Sequence, residues 1–457
     1  MSPEEFRRYG HQAVDWIAEY LANPGRYPVV PPLKPGQLVD ALPACGPEQG
    51  EPMEKILADF ERLIVPASTH WNHPGFLAYF ANSSPPEAIL GELLAAALNG
   101  NGMLWKTSPA VTELEQVALG WLRRWSGLPD DWFGTIHDTA STSTLHAILA
   151  ARHAADPETR TRGASRGLTA YASEQAHLSP EKGALALGFG QEYVRRVPVD
   201  SEFRMRADAL GEMIERDLAA GLRPCCVTAT VGTTSTTSVD PVPAIADICG
   251  RHGIWLHVDA AYAGAAAIVP EFRWAIAGCE RADSFVTNPH KWMLTPMDCS
   301  VFYTRRPDVL RAALSATGVY LPAPEGPRTL NFMDYCIPMG RRFRALKLWF
   351  VLRAYGREGI VDMIREHVRL AQEFARRVDA SDRFELAAPV PFSVVCFRYK
   401  GSDEDNRRIL ERVNASGDIF ISGTVLNGKY TLHLAVGNYQ TTGRHIGRAW
   451  ELIDAAV

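Results

Sequence analysis

The stretch Thr287-Asn288-Pro289-His290-Lys291-Trp292 places a lysine shortly after the segment Ser284-Phe285-Val286, which leads into it. Upstream of it, the apolar run 254–258 ends in Asp259. Most lysines lie on protein surfaces, but a lysine among apolar neighbours loses proton affinity and becomes a better nucleophile. A buried carboxylate needs a cationic partner, because an unpaired buried charge costs several kcal/mol. An aspartate and a lysine that each close an apolar segment therefore predict one shared chemical site.

The two residue types in this order suit the cofactor pyridoxal phosphate (PLP). A lysine amine can form a Schiff base with the aldehyde of PLP. An aspartate can keep the pyridine nitrogen protonated, which makes the ring a sink for the electrons released when a substrate bond breaks. Taken singly, Lys291 is as readily a surface lysine and Asp259 a helix cap. Taken together, they predict a PLP enzyme.

Other polar residues follow predicted strands and can complete such a site. Residues 139–144, a run of threonine, alanine and serine, lie before a predicted helix. Free backbone amides there can hold a phosphate, although an ordinary helix cap is the commoner role of such a segment. His177 can stack on a flat cofactor ring, and Thr234 follows another predicted strand. Each of these two residues is more often structural when it stands alone.

Short apolar segments alternate with helix-compatible stretches through the middle of the chain. Such alternation predicts an α/β fold with a mostly parallel sheet covered by helices on both faces, whose ligands lie at the carboxyl ends of the strands. The predicted strands of this sheet are 133–136, 168–172, 225–230, 254–258, 284–287 and 300–303. Further along, the predicted strands are 394–398 and 431–436. Predicted helices include 145–155, 241–251, 270–278, 342–355 and 359–378.

Three parts are expected along the chain. Residues 1–85 form an N-terminal helical segment that has few candidate strands and clasps another surface. Residues 86–345 form the large cofactor-binding domain, and residues 346–457 form a small C-terminal α+β domain.

The composition is that of a soluble globular protein. The chain has 457 residues, 46% of them apolar and 22% charged, with a formal net charge of -5. This mild acidity argues against nucleic acid as a partner. The eight cysteines are scattered without a CxxC pair, so neither a zinc site nor a disulfide framework is expected. The N-terminus reads as a helix start, and we expect a cytoplasmic protein without membrane spans.

At these residues the chain resembles the group II PLP-dependent amino-acid decarboxylases, and most closely the aromatic-L-amino-acid decarboxylases among them. The resemblance rests on Asn288-Pro289-His290-Lys291-Trp292, on residues 257–264 (His-Val-Asp-Ala-Ala-Tyr-Ala-Gly), on Gly232-Thr233-Thr234 and on residues 340–347 (Gly-Arg-Arg-Phe-Arg-Ala-Leu-Lys). It extends over nearly the whole chain.

The resemblance implies PLP fold type I, that of aspartate aminotransferase, with a seven-stranded sheet. Lys291 would hold PLP as the internal aldimine, Asp259 would pair with the ring nitrogen, and His177 would stack on the ring. Tyr320 would be the catalytic acid, carried by a loop. The residues implied to bind the cofactor are Ala140, Ser141, His177, Thr234, Asp259, Asn288, His290 and Lys291, and no metal is expected. The family further implies a homodimer with both sites at the interface.

The residues expected around the substrate side chain depart from the family's pattern. Animal aromatic decarboxylases carry proline, threonine, isoleucine and two phenylalanines at the places that here hold Ala81, Asn82, Asn101, Met103 and Met297. Trp71, Tyr79 and Phe80 add an aromatic wall to this expected substrate site. The phosphate segment also has Thr142 in place of the usual acidic residue. We therefore expect decarboxylation of an L-amino acid, aromatic first, to the amine and carbon dioxide through a quinonoid intermediate.

Two alternatives use the same sequence features. An aldehyde synthase would consume oxygen on the same scaffold, and relatives of that kind tend to replace either the Tyr320 or the His177 position. A non-catalytic binding protein could keep the fold without turnover. The presence of Lys291 and Asp259 weighs against this second alternative.

Overall fold

The computed structural model describes residues 1–163, 166–315, 326 and 328–457. Contacts within the chain divide it into two units. The larger unit comprises Asn82–Gln372 and Ala388–Cys396, and the smaller comprises Met1–Ala81, Glu373–Ala387 and Phe397–Val457. The division into parts at residues 85 and 345 stays a prediction.

The larger unit is built on a seven-stranded sheet. Its strands are β1 (Phe133–His137), β2 (Leu168–Ser173), β3 (Val194–Val197), β4 (Arg223–Thr230), β5 (Trp255–Asp259), β6 (Ser284–Thr287) and β7 (Ser300–Thr304). They lie in the order β1-β7-β6-β5-β4-β2-β3. All pairs from β3 to β6 are parallel, whereas β7 runs antiparallel to β6 and to β1. The predicted mostly parallel, seven-stranded sheet is confirmed.

Helices precede, separate and follow the strands. Those before β1 are α1 (Pro3–Ala22), α2 (Gln37–Ala41), α3 (Met53–Asp59), α4 (Pro86–Leu98) and α5 (Pro109–Ser126). Those among the strands are α6 (Ala140–Ala155), α7 (Thr159–Arg162), α8 (Ser179–Ala186), α9 (Ala207–Ala219), α10 (Val242–His252) and α11 (Pro289–Trp292). After β7 come α12 (Pro307–Leu314), α13 (Arg344–Asp379), α14 (Asp403–Ala415) and α15 (Gly443–Ala455). The predicted helix over 270–278 is instead a 3-10 segment, Pro270–Ile276.

The centre of the sheet is fully buried because its strands are continuous apolar runs. Every residue of β2, β5, β6 and β7 is buried, as expected for a sheet with helices on both faces. The helix α6 packs against several of these strands and buries most of its own residues. Its first turn therefore has a fixed position at the carboxyl end of the sheet.

The smaller unit carries most of a four-stranded sheet of order β10-β11-β9-β8. Its strands are β8 (Phe384–Leu386), β9 (Val394–Tyr399), β10 (Ser422–Leu426) and β11 (Lys429–Ala435). The pairs β8–β9 and β10–β11 are antiparallel. The predicted small C-terminal α+β region is confirmed. The two helices predicted over 342–355 and 359–378 correspond to α13, whose backbone breaks at Gly356 with φ 61°.

A buried ion pair joins α5 to the segment before α13. Arg341 and Glu115 are 5% and 1% exposed, and the guanidinium Nη2 lies 2.6 Å from Glu115 Oε1. The same oxygen accepts the backbone N–H of Ile136 in β1 at 2.8 Å. Arg341 Nη2 also donates to the Ile136 carbonyl at 3.0 Å. This network stabilises the first strand of the sheet and the loop that leads into α13.

Glu115→Gln is expected to lower the free energy of unfolding by about 3–5 kcal/mol, because it leaves the buried guanidinium without its counter-charge. The matched control is Asp130→Asn, which removes the ion pair between Asp130 and Arg123. The Asp130 side chain is 81% exposed, so the loss of this pair should cost little stability. Urea denaturation of both variants measures the difference. An equal, small loss in both variants would contradict the structural role of this pair.

None of the helices in the described ranges has the length and apolar character that crossing a bilayer requires.

Candidate active site

Asp259 is the last residue of β5 and is buried, with 4% of its surface exposed. In the sheet it pairs with Thr230 of β4 on one side and with Val286 of β6 on the other. Its Oδ1 accepts the backbone N–H of Ala261 at 3.1 Å. The carboxylate therefore lies at the carboxyl end of the central strands, where open parallel sheets bind their ligands.

Lys291 lies in α11, directly after the neighbouring strand β6. The backbone N–H of Lys291 donates to the carbonyl of Asn288 at 2.9 Å, and the N–H of Asn288 donates to the carbonyl of Ala261 at 3.0 Å. Because Ala261 also donates to Asp259, one residue connects the aspartate to the segment that carries the lysine. The two residues that the sequence predicted to share a site are brought together.

The last residue of the short helix α11, Trp292, is held by an aromatic stack and a hydrogen bond. Trp292 stacks on Tyr262 with ring centroids 4.7 Å apart and an interplanar angle of 7°. Its indole N–H donates to His367 Nδ1 at 3.0 Å. Both ring systems are buried, so α11 has little freedom to rotate and the direction of Lys291 is set.

The charges of the site act on one another. Burial lowers the pKa of the Lys291 ammonium below its ordinary value, and the Asp259 carboxylate acts in the opposite direction. His177 is an exposed residue, yet partial desolvation of its ring lowers its pKa as well. Asp259 raises the pKa of His177, while Lys291 lowers it. The three predicted residues therefore share one electrostatic environment, in which a larger fraction of the lysine is neutral than in water.

The ring of His177 is held by Ser179. The backbone N–H of Ser179 donates to His177 Nδ1 at 3.1 Å, and the Ser179 hydroxyl lies 2.9 Å from the same nitrogen. Since Nδ1 accepts, the neutral imidazole carries its proton on Nε2. Ser179 was missed as a site residue in the sequence. The only signal for it was its position two residues after the histidine.

The first turn of α6 lies beside the ends of β5 and β6. Ala140, Ala261 and Val286 form one buried apolar cluster, which places the start of α6 next to the segments that carry Asp259 and Lys291. Within the described residues, Thr139 at the N-cap makes no side-chain capping bond. Ser141 in the first turn is exposed. The amides of this turn can therefore receive an anion.

Two buried polar side chains near Lys291 also fit a cofactor. Asn288 and Thr287 are each 2% exposed, and among the described residues neither Asn288 Oδ1 nor Thr287 Oγ1 has a hydrogen-bond partner. Buried polar atoms are nearly always satisfied, so the polar groups of a bound cofactor would complete the hydrogen bonding of this pair. A hydroxyl donates and an amide offers both a donor and an acceptor, which suits a phosphorylated ring. Thr287 was not predicted from the sequence.

His290 and Thr234 complete the predicted cofactor residues. His290 Nδ1 accepts the backbone N–H of Cys299 at 2.9 Å, and burial lowers the pKa of His290 to about 4. The ring is thus neutral with its proton on Nε2. Thr234 is exposed in the turn after β4, which begins at Gly232 with φ +88°. A Cβ on Gly232 would lie 2.7 Å from Ala263 Cβ, so the close packing of this turn requires glycine.

Known proteins are similar to this chain over nearly its whole length. Residues 35–400 match the model of the pyridoxal-dependent decarboxylase conserved domain. The chain is 42% identical to aromatic-L-amino-acid decarboxylase of Mus musculus, covering 99% of this chain and 98% of the mouse protein. It is 41% identical to phenylacetaldehyde synthase of Arabidopsis thaliana, covering 99% and 96%.

The chain belongs to the pyridoxal-dependent decarboxylase family.

Solved structures of this family superpose closely on the chain. An Oryza sativa TDC with PLP and tryptamine has a TM-score of 0.97 and 37% identity, covering 100% of this chain and 98% of the rice protein. The Catharanthus roseus tryptophan decarboxylase in complex with L-tryptophan has a TM-score of 0.94 and 38% identity, with the same coverage. The cofactor of this decarboxylase is PLP, and the residues at the ends of β5 and β6 fit it.

The predicted substrate residues of this decarboxylase divide between the two units. In the smaller unit, Trp71 stacks on Phe76 at 4.2 Å and on Tyr79 at 6.3 Å. Trp71 and Tyr79 are exposed, Phe80 is half-buried and Ala81 is buried. The Trp71–Tyr79 stack supports the predicted aromatic wall as a local cluster, and its part in binding substrate stays a prediction.

The remaining candidates lie in the larger unit. Asn101 Oδ1 accepts the backbone N–H of Arg341 at 2.9 Å, so one of its polar atoms already has a structural partner. The carbonyl of Met103 accepts the N–H of Met333 at 3.3 Å, and Met297 is 60% exposed. Asn82 Oδ1 is buried and, among the described residues, has no hydrogen-bond partner. Tyr320, the predicted acid, lies outside the described residues.

Proposed function

We propose that the chain removes the α-carboxylate of an aromatic L-amino acid and releases the corresponding amine and carbon dioxide. The observation that carries the proposal is the pairing of Asp259 with Lys291 across the ends of β5 and β6, joined through the backbone of Ala261. The relatives add the substrate class, since a rice structure holds tryptamine and a Catharanthus structure holds L-tryptophan.

The residues of the chain divide the work as follows. Bound PLP supplies an aldehyde for amines and a conjugated ring that takes up the electrons of the breaking carbon–carboxylate bond. Lys291 offers its amine as the attachment point, and the lowered pKa makes the neutral, nucleophilic form more available than in water. Asp259 would pair with the ring nitrogen and hold its proton. His177, fixed by Ser179, would present a neutral ring face and keep water away from the reacting carbon.

The phosphate would be held by the first turn of α6 together with Asn288 and Thr287. The sequence predicted Ala140, Ser141 and Asn288 as the phosphate-binding residues. It predicted that Thr234 and His290 line the rest of the cofactor site. Backbone amides and a hydroxyl bind an anion without adding a positive charge that would compete for Asp259. Holding the phosphate would fix the ring relative to both Lys291 and Asp259, which is a contribution of orientation.

A panel of amino acids tests the proposed substrate class. Purified holoenzyme is given L-tryptophan, L-tyrosine, L-phenylalanine, L-glutamate and L-cysteine sulfinate, with carbon dioxide release and amine identity recorded for each. We expect kcat/KM to be highest for an aromatic substrate. Among the described residues the buried oxygen of Asn82 has no hydrogen-bond partner. We therefore expect an indole or phenol donor to be preferred over a plain phenyl ring. Exclusive activity on L-glutamate would contradict the proposal.

An aldehyde synthase is the second candidate, because the chain is 41% identical to phenylacetaldehyde synthase. The chain keeps both His177 and Tyr320, which favours the amine as product. The proposed task of Tyr320 is to protonate the α-carbon after carbon dioxide leaves, since a phenol beside a carbanionic carbon is able to donate.

Tyr320→Phe is expected to shift the products from amine toward aldehyde, ammonia and hydrogen peroxide. The variant keeps the ring and removes only the proton, so substrate should still bind and lose its carboxylate. The electron-rich carbon then persists long enough for oxygen to react with it. Amine, aldehyde and peroxide are measured in air and under nitrogen. Amine production at the wild-type rate, without aldehyde in air, would contradict the role of Tyr320.

We also propose a cytoplasmic homodimer. The helix α4 presents an apolar face to solvent in the larger unit, and its exposed leucines are Leu90, Leu93, Leu94 and Leu98, each between 48% and 67% exposed. Contiguous apolar surface of this kind on a soluble protein indicates an interface. The occupant that we propose is a second copy of the chain, as the family resemblance implies.

Replacing Leu94 and Leu98 together by Glu is expected to convert the dimer to monomers, because charges cannot be desolvated in the interface. Light scattering coupled to size exclusion measures the mass. Leu218→Glu, on the exposed face of α9, is the control and should remain dimeric. A monomeric wild type, or a double variant that stays dimeric, would contradict the proposed interface.

A further inference from the structure

His146 lies in α6, one turn beyond the turn that receives the phosphate, and is completely buried. Its Nδ1 lies 2.7 Å from the carbonyl of Thr142, which can only accept, so Nδ1 carries the proton. Its Nε2 accepts the backbone N–H of Ile337 at 2.9 Å. Both ring nitrogens are therefore committed, and the neutral ring bridges the first turn of α6 to a segment far away in the sequence.

The ring of His146 is also clamped from the side. It stacks on His137 of β1 with centroids 4.3 Å apart and an interplanar angle of 26°. His137 Nδ1 lies 3.0 Å from the Ser143 hydroxyl, and that hydroxyl lies 3.1 Å from the Ser300 hydroxyl in β7. Burial lowers the pKa of His146, which agrees with a neutral ring. The bridge is thus a rigid part of the core.

The segment that His146 holds continues into a second set of backbone bonds. Four residues after Ile337, the N–H of Arg341 donates to Asn101 Oδ1 at 2.9 Å. The N–H of Gly102 donates back to the Arg341 carbonyl at 2.8 Å. Arg341 itself is fixed by its buried pair with Glu115. A continuous path of hydrogen bonds and chain therefore leads from Thr142 to the loop 101–103.

We propose that His146 is a positioning residue that couples the phosphate-binding turn of α6 to the loop 101–103. Binding of PLP at the first turn fixes the carbonyl of Thr142, and His146 transmits that position to residues 337–341 and from there to Asn101 and Gly102. Coupling of this kind is reciprocal, so ordering the loop also strengthens cofactor binding. The place of the phosphate at the first turn of α6 rests on the proposed function. The expected effect on substrate rests on the sequence prediction that Asn101 and Met103 line the substrate side chain.

Three variants separate the two bonds of the ring. In His146→Asn the amide reaches the place of Nδ1 and can still donate to Thr142. In His146→Gln the amide reaches the place of Nε2 and can still accept from Ile337. His146→Leu fills the volume and removes both bonds. The control is His153→Leu, near the other end of the same helix.

The primary measurement is hydrogen exchange of peptides that cover 101–103 and 337–341, with and without PLP, alongside the PLP dissociation constant. We expect PLP to protect both segments in the wild type and in His153→Leu. In His146→Leu the protection should be lost, and PLP should bind about tenfold more weakly. His146→Asn and His146→Gln each break one step of the path, so each should lose the protection of 101–103 with a smaller loss of affinity.

Wild-type PLP affinity together with wild-type protection in His146→Leu would overturn the proposal, as would an equal loss in the His153→Leu control. If His146→Leu does not fold, the test rests on His146→Asn and His146→Gln. Protection of residues 101–103 by PLP in both of these variants would overturn the proposal. Neither measurement uses a substrate. A failure of the His146 proposal can therefore be told apart from a failure of the decarboxylase proposal. With an active substrate in hand, KM should rise in the His146 variants while kcat changes less.

Discussion

Lys291→Ala is expected to abolish turnover, with a loss of roughly four orders of magnitude or more, as for the removal of a nucleophile from other covalent catalysts. The amine of Lys291 is the attachment point for the cofactor aldehyde. Burial lowers the pKa of this amine, which favours its neutral form. Carbon dioxide release from L-tryptophan and the visible absorption of bound PLP are the two measurements. Both should fall together, because one bond supports both.

The fold should survive this substitution. Lys291 is only partly buried, and α11 is held by the stack of Trp292 on Tyr262. The control is Lys182→Ala, which removes an exposed lysine whose charge acts on His177 but which has no part in attachment. The assignment of Lys291 would be contradicted by a variant that keeps the visible band and releases carbon dioxide at a rate near that of the wild type.

Asp259→Asn is expected to retain PLP more weakly and to lose about a thousandfold in turnover. The amide keeps the shape of the carboxylate but removes the charge that holds the ring nitrogen protonated. Each pKa unit corresponds to about 1.4 kcal/mol, so a fall of about three units in the ring-nitrogen pKa costs roughly 4 kcal/mol of stabilisation. Single-turnover carbon dioxide release measures the chemical step, and PLP titration measures the affinity.

A matched control for Asp259 lies beside the neighbouring strand. Asp240 is also buried and accepts the backbone N–H groups of Thr230 and Met205, each at 2.7 Å. Burial raises the pKa of Asp240 to about 7, so the same change to Asn alters its charge less. Asp240→Asn should affect stability more than turnover. Equal turnover in Asp259→Asn and the wild type would rule out the pyridinium role.

Most of the central sheet could be predicted because its strands are continuous apolar runs. Thus β4, β5 and β6 lie where the sequence places them. The strand β3 was missed because its sequence, Val194-Arg195-Arg196-Val197, is half charged. It lies at the edge of the sheet, where β2 is its partner among the described residues, and Arg196 is exposed. The strands β8 and β10 were missed because they are short edge strands with exposed residues.

The start of α6 shows how local chemistry misled the prediction. The helix was expected from residue 145, since the Ser/Thr-rich residues before it favour caps and loops. It begins at Ala140 instead, because its first turn packs through Ala140 on Ala261 and Val286. Tertiary packing thereby overrides the weak helix propensity of the serines and threonines.

The pair of Asp259 and Lys291 could be predicted because Asp259 ends one buried strand and Lys291 follows the next. Neighbouring parallel strands bring such ends together. The hydrogen bonds that orient the side chains of the site could not be predicted. Ser179 fixes the proton of His177, Arg341 engages Asn101, and His146 reaches Ile337. The last two of these bonds connect residues far apart in the sequence, whose pairing depends on packing that no local pattern records.

The most direct test of the account is the chemical identity of the cofactor attachment. The holoenzyme is reduced with borohydride, digested, and its peptides are sequenced by mass spectrometry. We expect a pyridoxyl group on Lys291, within the peptide that contains Asn288 and Trp292, and none in the Lys291→Ala variant. A pyridoxyl group on another lysine of the wild type, or no fixed cofactor at all, would contradict it.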